Sequence, residues 1–183
     1  MIGNIAAGLF GTGAPPAAPT SYESIFTSTV GSGGASNIEF TSIGSGYKHL
    51  QIRGIGGITG GNQISYIQIN GDTTATNYYT HALEGDGSSA YAYAVNSYPR
   101  YTSLPSSSNL FGVSVLDILD YGNTSKYKTV RALGGVDRNG SGEVTLYSGL
   151  WKNTDAITSI KLIPNAGATF KEFSSFALYG IKD

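Results

Sequence analysis

Apolar and polar residues alternate along most of this chain with the period of two that marks half-buried β-strands. In 47–54, Leu50 and Ile52 alternate with His49, Gln51 and Arg53; in 63–70, Ile67 and Ile69 alternate with Tyr66 and Gln68. Each pattern describes one buried face and one wet face. Runs of this kind predict strands near 22–30, 36–42, 47–54, 63–70, 76–83, 90–96, 110–119, 127–136, 142–150, 157–163 and 173–181. Two runs differ, because 110–119 (LFGVSVLDIL) and 173–181 (FSSFALYGI) are apolar on both parities. That pattern predicts mid-sheet strands covered on both faces.

The connectors Gly31-Ser32-Gly33-Gly34, Asn70-Gly71-Asp72, Gly85-Asp86-Gly87 and Asn139-Gly140-Ser141-Gly142 all tolerate positive φ and suit tight hairpins. Gly54 to Gly61 reads as a low-complexity loop, either mobile or in close backbone contact. No apolar stripe of helical period exists to build parallel crossovers. The expected fold is therefore all-β: a two-sheet antiparallel β-sandwich, most economically a jelly roll.

Residues 1–20 break the pattern. They carry no charge, present Ile2, Ile5, Leu9 and Phe10, and run into the Pro-rich Ala14 to Pro19. This reads as an apolar N-terminal attachment arm with an extended spacer, followed by a sandwich domain over 21–183. The apolar start is too short to span a bilayer and has no early Lys or Arg, so neither membrane insertion nor a signal peptide is expected.

Composition narrows the function. Hydrophobic residues make up 40% of the 183 residues and charged residues only 13%, about half the ~25% of ordinary globular proteins. A surface built largely of Ser, Thr, Asn, Gly and Tyr suits packing against neighbours. The net charge is −1 and no basic cluster forms, which argues against a nucleic-acid partner. With no cysteine, disulfides, zinc–thiolate sites and thiol nucleophiles are all excluded.

The search for chemistry yields few candidates. His49 and His81 share no metal-ligand spacing, and no Gly-x-Ser-x-Gly elbow is present. Asp117 and Asp120 would lie on opposite faces of a strand, which disfavours a pair of glycosidase carboxylates. Asp137, Asn139 and Ser141 imitate the start of a calcium loop, with Gly142 in the sixth position. Ser148 stands where the closing Glu should be, and Arg138 sits among the ligands, so a hairpin turn is the favoured reading. Glycine-rich segments lack the Lys-Ser/Thr and helix of a phosphate loop. No cofactor is expected. The stretch 85–109 mixes Tyr91, Tyr93, Tyr98 and Tyr101 with Arg100, Ser and Gly, a recognition-like composition that could stack on sugars or fill a protein interface.

Several segments, in order, resemble a family of tailed-phage virion structural proteins: Ser21 to Ile25, Tyr47 to Gly54, Leu116 to Tyr121, Tyr127 to Gly135, Ser148 to Trp151 and Phe173 to Ile181. The resemblance covers nearly all of 21–183. It implies a virion location and a tail-fibre, minor-tail or head-decoration (cement) role, and brings no catalytic residues. The leading expectation is a non-enzymatic virion part that joins capsid or tail proteins and forms a homo-oligomer, with a trimer expected from three-fold virion positions. The rivals are a module binding a host receptor or surface glycan, and a polysaccharide depolymerase.

Overall fold

The computed structural model describes residues 21–60 and 64–182. The arm residues Ile2, Ile5, Leu9 and Phe10 lie outside the described residues. Twelve strands form in chain order: β1 (Tyr22–Thr29), β2 (Ile38–Phe40), β3 (His49–Gly56), β4 (Ile64–Ile69), β5 (Tyr78–Gly85), β6 (Ala90–Val95), β7 (Arg100–Ser103), β8 (Gly112–Leu119), β9 (Lys128–Asp137), β10 (Gly142–Trp151), β11 (Ile160–Pro164) and β12 (Ser175–Ile181). They build an eight-stranded sheet, β1-β12-β3-β8-β9-β10-β5-β6, and a four-stranded sheet, β2-β11-β4-β7. All neighbouring strands are antiparallel. The chain is an all-β sandwich.

The topology has a simple decomposition. With the hairpins β5–β6 and β9–β10 set aside, successive strands alternate between the sheets except at β4 and β7, which are paired neighbours in the small sheet, giving β1-β12-β3-β8 opposite β2-β11-β4-β7. The two hairpins then lie side by side at the far edge of the large sheet, as β9-β10-β5-β6.

Inward-facing residues from both sheets make one core. Leu50, Ile52, Leu116 and Ile118 of the large sheet are fully buried, as are Ile67, Ile69, Ile160 and Leu162 of the small one. The glycines of β3 belong to this packing and not to a loop. A Cβ on Gly54 would come within 2.4 Å of the Tyr101 hydroxyl and 2.7 Å of the Phe176 ring, so only glycine lets both aromatics approach the strand. The loop expectation for 54–61 is corrected over this part by β3 running to Gly56.

The expectation that 110–119 and 173–181 are covered on both faces is also corrected. β8 is central, but its outward Val113 and Leu119 are 56% and 57% exposed. β12 is one strand from the edge. The described residues offer no second layer to cover that outer face.

One loop is pinned by a partly buried carboxylate. Asp72 accepts hydrogen bonds from Trp151 Nε1 (2.8 Å), Asn77 Nδ2 (2.9 Å) and Thr74 N (2.9 Å), and the Tyr78 hydroxyl donates to the Asp72 carbonyl at 3.0 Å. Burial alone would raise the Asp72 pKa; the bonds from Trp151, Asn77 and Thr74 outweigh it, and the carboxyl is held below its ordinary value. A depressed folded-state pKa stabilises the fold above the unfolded carboxylate range, near pH ~4, and that contribution disappears as pH falls through the folded value. The melting-temperature gap between wild type and Asp72→Asn should therefore narrow between about pH 6 and about pH 3. An unchanged gap across that range would remove Asp72 as an acid-sensitive latch.

Candidate functional site

The paired hairpins β9–β10 and β5–β6 extend the large sheet beyond the alternating frame, and both faces of this extension are unusual. On the outer face, the register aligns Val115 with Leu133, Leu133 with Leu146, and Leu146 with Leu83. The next outward-facing level runs from Ile55 to Val113, Gly135 and Val144. Leu83, Val113, Leu133 and Val144 are each more than half exposed. The result is one apolar band crossing β8, β9, β10 and β5, where a half-wet sheet should carry polar residues. A depression of about 610 Å³ opens at its end, edged by Phe111, Val113 and Val144 and floored by Gly85 and Gly135. Beside the band, Asp117 accepts from Arg131 (2.9 Å) and Gln51 (2.7 Å), so the charges in this region neutralise each other.

The inner face of the extension is polar at its turn end. β7 is the last strand of the small sheet, so its free edge leaves the inner face of β10, β5 and β6 partly roofless there. Glu84 Oε1 accepts from the Tyr147 hydroxyl at 2.6 Å and from the Tyr93 hydroxyl. Arg100 donates to the Tyr93 oxygen and lies 3.5 Å from Glu84. Glu143 accepts from Ser103 Oγ at 2.7 Å and pairs with Arg138 at 3.9 Å. Burial, then the bond to Glu84, pushes the Tyr93 phenol up to about 12, and the same causes raise Tyr147. Both phenols therefore stay protonated donors at neutral pH. An open cavity of about 530 Å³ lies over this network, between the turns at 85–89 and 138–142.

The Tyr-rich candidates separate. Tyr91 lines the cavity and is 50% exposed. Tyr93 and Arg100 are in the adjoining network. Tyr98 turns away, donating to Thr73 O at 2.6 Å and packing on Tyr78 at 5.0 Å between ring centroids. Tyr101 is completely buried, 6.2 Å from Phe176. The strand expected over 90–96 is β6, whereas the rest of the recognition-like stretch 85–109 is corrected: Arg100 to Ser103 form β7, and Tyr101 lies in the core. Glu84 and Glu143 were not anticipated. The detectable signal for Glu84 was parity: it shares a side of β5 with Tyr78, Thr80 and Ala82, the buried side.

The turn candidate Asp137, Asn139 and Ser141 forms a hairpin. Asp137 Oδ1 accepts Asn139 N at 2.7 Å, Arg138 N donates to Ser141 O, and Asn139 and Gly140 have φ of 58° and 107°. Among the described residues no group of three or more His, Asp or Glu side chains could hold a metal ion. Asp120 sits in the turn after β8 with φ 49°. Its hydrogen bond from Lys126, then the charges of Lys126 and Lys48, hold its carboxyl below the ordinary value despite partial burial. Asp117 and Asp120 are thus each committed to separate cations. His49 Nδ1 accepts Asp120 N at 3.0 Å, and exposed His81 packs against Tyr79. No described helix is long and apolar enough to cross a membrane.

No protein-family model, curated protein or solved structure matches the chain.

Proposed function

We propose that the chain is a non-enzymatic structural part of a phage virion, a capsid decoration protein or fibre-type appendage that works as a homo-oligomer. The observation that carries the assembly half of this reading is the apolar band on the outer face. Isolated surface leucines are ordinary, but a contiguous apolar patch of this extent marks an interaction surface. Its occupant is another copy of this chain. The band itself is uncharged, while Asp86 and Asp137 lie at its turn end and Lys48 and Lys126, which share Asp120 and leave an excess of positive charge, lie at the opposite end of the same sheet. The acidic rim of one copy can then meet the basic rim of the next, and head-to-tail contacts of that kind close into rings such as a trimer.

The virion half rests on the segment resemblance, on the low charge of the surface and on the strand order. Eight strands that pass between two four-stranded layers at every step but β4 to β7 have the winding expected of a jelly roll, an architecture suited to capsid parts. The charge-free, apolar sequence of residues 1–20 suits attachment to a capsid or tail protein. Antibody against the chain decides this half. The chain should co-sediment with purified particles and label one site on them; its recovery only in the soluble fraction of infected cells would reject the virion role.

A further inference from the structure

The roofless inner face of β10, β5 and β6 lies on the opposite side of the sheet from the apolar band and shares with the rim of that contact only the turn residue Asp86. It carries an open cavity that adjoins the depression at the end of the band, a side-chain network and two braced turns. We propose that this groove binds a neutral saccharide, an inference that goes beyond the assembly role and does not depend on it.

Charge selects the ligand class. The groove presents the carboxylates of Glu84, Asp86 and Glu143, with Arg100 and Arg138 beside them. Glu84 is paired with Arg100 and Glu143 with Arg138. Asp86 is satisfied by the N–H groups of Ser88 (2.8 Å) and Ser89 (2.7 Å). An anionic ligand would meet three carboxylates and would compete with two of them for Arg100 and Arg138, and a divalent cation would have to displace those guanidinium groups. A neutral polyhydroxylated ligand has neither difficulty. Its hydroxyls can donate to carboxylate lone pairs and accept from N–H groups without leaving an uncompensated charge.

Shape and stacking point the same way. The cavity, about 530 Å³, is open on one side and falls within the ~300–1,000 Å³ of small-molecule sites. The Tyr91 ring stands half-exposed on its wall, with its hydroxyl 3.3 Å from Asp86 Oδ2, so the ring is oriented and its face is available. A tyrosine held in this way presents a flat apolar surface at low entropic cost. Both turns are braced by Asp side chains, Asp86 on one and Asp137 on the other. The groove is therefore largely preformed, which lowers the cost of binding.

The test uses the full chain on an array of neutral hexose and N-acetylhexosamine oligomers, with sialylated and sulfated glycans alongside, followed by calorimetric titration of the best neutral ligand. Wild type should bind at least one neutral glycan. Tyr91→Ala, which removes the stacking face, and Ser141→Trp, which fills the groove from an exposed position, should each weaken binding at least about tenfold, or ~1.4 kcal/mol, with thermal melting unchanged. No neutral glycan bound at about 10 mM ligand, a Kd ceiling near ~3 kcal/mol of affinity, would overturn the proposal. So would binding confined to acidic glycans, or binding that survives both substitutions.

Discussion

Leu133→Glu combined with Leu146→Glu should convert the protein from an oligomer into a monomer of 19.1 kDa while leaving the sandwich intact. The two side chains are cross-strand partners at the centre of the outer band, 56% and 41% exposed. Because neither belongs to the core, each substitution should change stability by no more than ~0.5 kcal/mol. In an interface, however, two carboxylates would be buried without partners, at several kcal/mol each. Analytical ultracentrifugation of wild type and variant, with far-ultraviolet circular dichroism as the control for folding, reads both quantities. A wild-type protein that sediments as a monomer at micromolar concentration, or a variant that stays oligomeric, would dismiss the outer face as the contact between copies.

Trp151→Ala should be the most damaging single substitution for stability. Trp151 is the largest fully buried side chain and the partner of Asp72. Its truncation leaves a cavity in the core costing ~3–5 kcal/mol, and the loss of an N–H bond to a carboxylate adds to that. In a domain of this size the melting temperature should fall by roughly 6–20 °C. Trp151→Phe preserves most of the apolar volume and should cost about half as much. If the indole N–H acts through Asp72, the effects of Trp151→Phe and Asp72→Asn will not add in the double variant. Strict additivity would mean that packing alone accounts for the tryptophan.

The fold was readable where one face of a strand is buried and the other wet. β3 and β4 follow the alternation of Leu50, Ile52, Ile67 and Ile69 because the pleat imposes a period of two. β7 was missed. Its four residues lie between Pro99 and Pro105 in a Ser- and Tyr-rich stretch, so local composition resembles a loop while tertiary packing buries Tyr101. The more instructive case is β8. Apolar residues on both parities report that both faces prefer to leave water, but the pattern does not say what covers the second face. A second layer of the same chain and a neighbouring molecule leave the same signature in sequence. The candidate groove was half legible. Tyr91, Tyr93 and Arg100 were visible through composition, whereas Glu84 and Glu143 join them only through the pairing of β5 with β6 and β10.

The order of strands also sets when the chain can fold. β12 lies between β1 and β3, and β11 lies between β2 and β4. Until the last quarter of the chain has been synthesised, each sheet has an open slot one strand in from its edge, with unpaired backbone on both sides. Closing those slots joins residues as far apart as Tyr22 and Ile181, and contacts at such separation are formed late and slowly. A ribosome-bound chain would therefore expose sticky strand edges throughout elongation.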